Sequence, residues 1–205
     1  LSATIASSQT WDSESAEPDL SLLAALQSLE ASPLRNARLA YVLLMVGRLE
    51  EAQNLLNQTV AHPLAQAIQM AIWVEQHQFA KVLTTTPQPL ESLPQSLHAE
   101  THARLWLEQS KAHFHLCQYR EALRLARAAE SQARGAKMDS LALVCKLHAD
   151  ECGFSLDESA LDLNERETYL REQVNTAPSQ ESRVMAYMVL VRLLSRQGLY
   201  DKAMR

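Results

Sequence analysis

Two thiols and an imidazole form the most chemically suggestive spacing in the chain, in the segment Cys145-x2-His148-x3-Cys152. Positions i, i+3 and i+7 share one face of a helix, and such groups ligate zinc when a neighbouring element supplies a fourth ligand. Structural zinc more often uses pairs of ligands in turns, and small buried cysteines are common core residues. The sequence therefore favours core packing here and predicts no bound metal.

The other histidine groups fit catalytic or metal chemistry less well. His98 and His102 stand four residues apart but lack the glutamate that directly follows the first histidine in metalloprotease helices. His113, His115 and Cys117 alternate along the chain, so a helix cannot point all three the same way. Nor does the sequence contain a P-loop, a nucleophile elbow or a convincing acid pair. We expect neither an enzyme nor a cofactor.

Charge also limits the classes of partner. The chain has 19 Lys and Arg against 24 Asp and Glu, a net charge of −5, which gives no general attraction to nucleic acid or to an anionic membrane surface. Arg120, Arg124 and Arg127 form a local basic stripe. A solvated outer helix face is the simpler interpretation of that stripe, and an anionic partner is the alternative.

Composition predicts an all-α fold. Of 205 residues, 34 are Leu and 29 are Ala, both good helix formers, whereas only 4 are Gly and 7 are Pro. The longest apolar run, Leu39 to Val46, is too short to cross a bilayer. Three cysteines in a chain of this size favour reduced thiols and a cytoplasmic location.

Short motifs predict where helices begin and end. Ser32-Pro33 has the order of an N-cap followed by a first-turn proline, and Gly47, Gly135 and Gly198 stand where helices can stop. The proline-rich segment 84–95 is the one long connector. We expect residues 1–18 to form a flexible polar tail and residues 19–205 to form one helical-repeat domain.

The strongest pattern is internal repetition. A turn residue is followed two positions later by a large apolar residue and five positions later by a small one, between two apolar-periodic segments. The four copies begin at Gly47, His77, Cys117 and Gly198 and place Ala52, Val82, Ala122 and Ala203 at the small position. A degenerate copy is expected between Gly135 and Pro178. Each copy predicts a helical hairpin that buries its apolar face on its neighbours.

This pattern resembles the tetratricopeptide family. The resemblance rests on two units in which residues stand at the positions of the family's motif. These residues are Trp106, Cys117, Tyr119, Ala122, Ala126 and Ala129 in one unit, and Leu39, Ala40, Gly47, Leu49, Ala52 and Pro63 in the other. The resemblance implies a right-handed superhelix, a solenoid of stacked antiparallel hairpins. A spacing near 40 residues with alanine-rich helices is similar to the sensor regions of bacterial transcription regulators of the MalT type.

The resemblance also implies that the first helix of each hairpin lines a concave groove. Six of the nine candidate groove residues are cationic or can become cationic, which favours an acidic peptide, a protein or an anionic small effector as the ligand. The candidates are Arg38, Tyr41, Met45, Arg104, Lys111, His115, Met188, Arg192 and Arg196. The alternative is that these are ordinary solvated side chains. Ala37 and Tyr41 occupy the positions where the family's carboxylate clamp needs Asn and Lys, so that clamp is not expected.

Three function classes follow. The leading class is a non-catalytic interaction module of a larger bacterial regulatory or signalling protein. The second is a structural scaffold or oligomerisation element. The third is a metal-binding sensor or enzyme. The array is also expected to continue beyond residue 205, which would leave the C-terminal end open to self-association. Leu190, Leu193, Leu194 and Tyr200 would then be partly uncovered.

Overall fold

The computed structural model describes residues 20–59, 62–91, 93–156 and 162–199. These residues form ten α-helices and contain no strand, which confirms the predicted all-α class. The helices, here α1 to α10 in chain order, are Leu20–Ser28, Pro33–Met45, Leu49–Asn57, Pro63–Glu75, Phe79–Thr84, Gln95–His115, Tyr119–Gly135, Asp139–Leu156, Leu163–Thr176 and Gln180–Arg196.

Local capping explains several helix starts. Helix α2 begins at Pro33, and the Ser32 hydroxyl accepts a hydrogen bond of 3.2 Å from the Arg35 backbone N–H, as the Ser-Pro order predicts. Asp162 caps α9 in the same manner by accepting from the Glu165 backbone N–H, and the Asp162 backbone N–H donates in return to the Glu165 carboxylate. The proline-rich connector lies between the end of α5 at Thr84 and the start of α6 at Gln95, as the sequence predicts.

Five helices end in the same turn. The closing residue has a positive φ of 58 to 78°, and the next backbone N–H bonds a carbonyl five residues earlier at 2.8 to 3.0 Å, which is the Schellman arrangement. The positive-φ residues are Gly47, His77, Cys117, Lys137 and Gly198. Four of them are the turn residues of the sequence repeat, so the repeat corresponds to one recurring backbone geometry.

The fifth turn, at Lys137, has no counterpart among the sequence copies. Helix α7 ends at Gly135, where a stop is expected, but the left-handed residue is Lys137, two positions later. The Met138 backbone N–H closes this turn on the Ala133 carbonyl at 3.0 Å. The glycine therefore marks the helix end without supplying the left-handed conformation.

Helices contact one another in an alternating order. The even-numbered helices α2, α4, α6, α8 and α10 each pack against the next even-numbered helix. Helices α3, α5 and α7 each pack between the even-numbered helices that precede and follow them in the chain, and α9 packs against α10. Each pair joined by a tight turn is a helical hairpin, and the even-numbered helices form a continuous row.

The small residues of the repeat pack tightly, as predicted. Ala52, Val82 and Ala122 are each fully buried. Ala203 lies outside the described residues. The full burial of Ala52 and Ala122 supports the close approach of the second helix to the first that the sequence predicts at these two positions.

The last helix turns a different face to solvent than the sequence suggests. Leu190, Leu193 and Leu194 are buried, so the expectation that they are partly uncovered is wrong. They pack into the core cluster that joins the five helices α6 to α10. Tyr200 lies outside the described residues. The exposed apolar side chains of α10 are Val184, Tyr187 and Met188.

None of the helices in the described ranges combines the length and the apolar character that a membrane span needs.

Replacing Lys137 with glycine is expected to raise the free energy of unfolding by about 1 kcal/mol, because glycine removes the steric cost of the left-handed conformation at an exposed position. Urea denaturation measures the change. Lys137→Ala is the matched control, since it removes the same charge and keeps a Cβ, and it should give no gain. Equal stabilisation by both variants would assign the effect to charge and contradict the turn interpretation.

Candidate functional site

The even-numbered helices carry the nine residues predicted to line a groove, and three of these residues are buried together. Arg38 and Tyr41 project from α2 and Arg104 projects from α6, and they are 3%, 6% and 8% exposed. The Arg104 guanidinium lies over the Tyr41 ring, 4.2 Å from its centroid, in a cation–π contact. Helices α2 and α6 are thus joined by polar side chains, although α4 stands between them in the row of even-numbered helices.

Two carboxylates complete this cluster. Both terminal nitrogens of Arg38 donate to Glu100 of α6, and Arg104 Nε donates to the same carboxylate at 3.2 Å. Arg104 Nη1 also lies 3.6 Å from an oxygen of Glu181, in the first turn of α10. We call Arg38, Tyr41, Glu100, Arg104 and Glu181 the central ion-pair cluster. It ties together the first, third and fifth even-numbered helices.

The charges of this cluster stabilise one another. Burial alone would raise the pKa of Glu100, but Arg38 and Arg104 outweigh it and hold that pKa below its ordinary value. Burial also lowers the pKa of Arg104, and contacts with Tyr41, Glu181 and Glu100 more than reverse that effect. Burial raises the pKa of the Tyr41 phenol well above 10.0. At neutral pH the cluster therefore holds charged Glu100 and Arg104 beside a protonated Tyr41.

A second polar cluster lies between α8 and α10. Arg192 Nη1 donates to Glu151 Oε1 at 2.6 Å, and His148 Nδ1 lies 3.3 Å from the other oxygen of the same carboxylate. Burial raises the pKa of Glu151, and His148 and Arg192 together hold it below its ordinary value. Near the end of α10, Arg196 donates to the Ser155 hydroxyl at 2.8 Å.

Carboxylates neutralise several of the cations that the sequence predicts for the groove. Arg38 and Arg104 are matched by Glu100 and Glu181 in the central ion-pair cluster, and Arg192 is matched by Glu151. Lys111 likewise donates to Glu108 at 2.8 Å. Sequence reasoning selected the cations and missed these acids. A signal was present, since Glu100 and Arg104 are spaced i,i+4 and Glu108 and Lys111 are spaced i,i+3.

Four predicted groove residues present substantial surface. His115 and Arg196 are exposed, Met188 is 41% exposed, and the Arg192 side chain is 34% exposed. Desolvation and the nearby Arg192 lower the pKa of His115, so its ring is mainly neutral at pH 7. That ring stacks on Phe79 with 4.9 Å between centroids. Lys111 and Met45 are half-buried.

The candidate metal helix is packed into the core. Cys145 and Cys152 are fully buried, and His148 lies 3.9 Å from the Cys152 sulfur. Burial raises the pKa of both thiols, that of Cys152 to about 12, so both are protonated and poorly suited to metal binding or nucleophilic attack. Within the described parts of the chain, no three His, Cys, Asp or Glu residues are grouped closely enough to hold a metal ion.

The histidines of α6 pack against different neighbours. The His102 ring packs on Trp106, with 3.9 Å between centroids, and its edge meets His98. His113 pairs with Gln118 at the turn, whereas His115 stacks on Phe79. The structure thus brings His98 and His102 together on the surface of α6 and points His113 and His115 apart.

The basic stripe lies on α7. Arg120, Arg124 and Arg127 are exposed, and Arg124 Nε donates to Glu121 at 2.9 Å. These arginines stand on an odd-numbered helix, away from the row that carries the two polar clusters.

Comparison of the chain with family models, with curated proteins and with solved structures finds no match. The geometry of the helices and of their side chains therefore carries the functional argument.

Proposed function

We propose that this chain is a tetratricopeptide-like interaction module, a right-handed solenoid of helical hairpins that belongs to a larger regulatory or signalling protein of bacterial type, located in the cytoplasm. The observation that carries the proposal is the recurrence of one turn geometry at five places, together with the alternating helix contacts. Arrays of this kind expose a continuous inner surface along the first helices of their hairpins, and that surface is where they bind partners.

The central ion-pair cluster limits where a ligand can enter. Its arginines and carboxylates are already paired, and Arg38, Glu100 and Arg104 are less than 10% exposed, so a ligand that used these three would have to displace buried ion pairs. The accessible inner surface lies nearer the C-terminal ends of α6, α8 and α10. We assign ligand contact to His115, Met188, Arg192 and Arg196, which supply two cations, an apolar side chain and an imidazole.

These four residues suit an acidic peptide or protein segment that carries one apolar side chain. The guanidinium of Arg196 donates to a neutral hydroxyl, so it retains donors for a ligand carboxylate, and Arg192 lies within the same groove. Nucleic acid and membrane surfaces are not proposed as partners, and no catalytic role is proposed for the groove.

Selection of acidic peptides from a display library on the full chain tests this proposal. Peptides that bind the groove should lose affinity about tenfold or more when Arg196 is replaced by Glu, because charge reversal places like charges together. Fluorescence anisotropy of a labelled peptide measures the change. Arg127→Glu, the same charge change on exposed α7, is the control and should leave affinity unchanged.

Equal weakening by Arg196→Glu and Arg127→Glu would show only a long-range charge effect, and the groove assignment would fail. A selection that yields no binding peptide would also count against it.

A scaffold or oligomerisation role is the second candidate function. The observation that favours it is the exposed apolar side of α10, where three large side chains are each more than 40% exposed.

A further inference from the structure

Two imidazoles stand four residues apart near the start of α6. His98 and His102 are each half-buried, and their ring centroids are 5.8 Å apart. Positions i and i+4 lie one turn apart on the same helix face, which is the spacing at which two histidines of one helix bind the same metal ion. We call these two residues the α6 histidine pair. The ligand contacts proposed for the groove use neither of them.

The distance between the two rings suits a shared ion. One ion bound by two imidazoles holds their centroids within about 6 Å of each other, because each metal–nitrogen bond is only about 2.1 Å long. The α6 histidine pair meets this limit as it stands. His77 and His115, whose rings also meet, are 6.4 Å apart, and the His115 ring is stacked on Phe79. The α6 histidine pair is therefore better placed to chelate.

Trp106 holds one of the two rings in position. The His102 ring packs on the Trp106 ring, one turn further along α6, with 3.9 Å between centroids. A side chain that is already held by packing loses little freedom when it binds a ligand. Burial and the neighbouring His98 lower the pKa of His102, so its imidazole is mainly neutral at pH 7 and has a lone pair available for a metal.

We propose that the α6 histidine pair is a binding site for a divalent late transition-metal ion, with water completing the coordination shell. Imidazole nitrogens suit Cu²⁺, Ni²⁺ and Zn²⁺, whereas Mg²⁺ and Ca²⁺ prefer oxygen ligands. The site supplies two protein ligands, so it is open to water and to a further ligand. Because Ala99 follows His98, it lacks the glutamate base of a metalloprotease helix, and we propose ion binding without hydrolysis.

Copper titration followed by tryptophan fluorescence tests the proposal on the full chain. Trp11→Phe and Trp73→Phe together leave Trp106 as the one tryptophan, and Cys117→Ser removes the exposed thiol. We use this triple variant as the reference chain. Cu²⁺ quenches indole emission at short range, so Trp106 should report an ion bound at His102. We expect saturable quenching with one ion per chain, and no quenching by Ca²⁺ at the same concentration.

His98→Gln in the reference chain separates the paired site from binding by single histidines. It removes one ligand and leaves the contact between His102 and Trp106 in place, so emission without metal should not change. The copper concentration at half quenching should rise about tenfold or more, since even changes in groups that only support a ligand cost that much. His115→Gln is the matched control, because it removes an exposed imidazole from the same helix and should leave quenching unchanged.

Thermal unfolding with zinc gives a readout that does not depend on Trp106. The two imidazoles are held one turn apart only while α6 is folded, so Zn²⁺ binds the native chain more tightly than the unfolded one and should raise the thermal midpoint. His98→Gln should abolish this rise, and His115→Gln should preserve it. Mg²⁺ at the same concentration should leave the midpoint of every variant unchanged. Circular dichroism checks that each variant has the helix content of the reference chain.

Equal quenching of the reference chain and His98→Gln would place copper elsewhere and overturn the proposal. A zinc effect that survives His98→Gln but is lost in His115→Gln would do so as well, as would the absence of saturable quenching up to millimolar copper. Peptide binding in the groove is measured without added metal, so its failure leaves this result unaffected.

Discussion

Glu100→Gln is expected to lower the free energy of unfolding by about 3 to 5 kcal/mol, because it removes the negative charge shared by two buried arginines. Arg38 and Arg104 both donate to this carboxylate, and all three side chains are less than 10% exposed. Glutamine has nearly the same shape, so the loss reports charge rather than volume. Urea denaturation at neutral pH measures it, with helix content followed by circular dichroism.

An exposed ion pair supplies the control. Arg48 and Glu51 pair near the start of α3 with side chains 45% and 55% exposed. Glu51→Gln removes the same kind of charge from a solvated pair and should cost less than about 1 kcal/mol. If Glu100→Gln costs no more than Glu51→Gln, the central ion-pair cluster does not hold α2, α6 and α10 together.

Acid titration gives a second readout of the same variant. The pKa of Glu100 lies below its ordinary value of 4.5 in the folded chain, so its stabilisation is complete above that ordinary value and declines as pH falls through the folded pKa. The variant has no such carboxylate. The stability difference between wild type and Glu100→Gln should therefore be constant near neutral pH and shrink in the acid range.

The hairpins and their turns could be predicted because their determinants are local. Ser32-Pro33 caps a helix, and glycine at positions 47 and 198 takes the left-handed conformation with no Cβ to oppose it. The turn at Lys137 could not be predicted from its residue type, because lysine has no preference for a positive φ. Its conformation is imposed by the packing of α7 against α8, which join around it.

The two polar clusters were predicted less completely because their pairings are long-range. Glu100 lies 62 residues from Arg38, and Glu151 lies 41 residues from Arg192. Those distances in sequence exceed the length of any helix here, so only the stacking of hairpins brings the charges together. Sequence patterns identified the cations, but the carboxylates that pair with Arg38 and Arg192 belong to other even-numbered helices.

The sequence also does not predict which side of α10 is buried. Apolar residues occur around much of this helix, so periodicity alone does not select one face. Helix α10 packs against α8 and α9, and its Leu190, Leu193 and Leu194 are buried in the core cluster, whereas Val184 and Tyr187 are exposed. The rotation of a helix that is apolar on several sides is fixed by the contacts available to it.

Ala122→Phe is expected to destabilise the chain by about 1 to 3 kcal/mol or more through overpacking. Ala122 is fully buried at the small position of the third hairpin, in a core cluster with Phe114, Ala149 and Cys152. Its carbonyl accepts a hydrogen bond of 2.6 Å from the Ser110 hydroxyl, so α6 and α7 approach closely at this point. A benzyl group fits there only if the two helices separate.

Thermal unfolding measures the effect, since each kcal/mol shifts the midpoint of a chain this long by about 2 to 4 °C. Ser131→Phe is the control: it places the same ring on an exposed position of α7 and should leave the midpoint nearly unchanged. The contrast tests the alignment of the repeat, because residue 122 was selected by its place five positions after the turn residue. If Ala122→Phe melts like Ser131→Phe, α7 does not bury the face that the repeat assigns to it, and the hairpin interpretation of residues 95–135 fails.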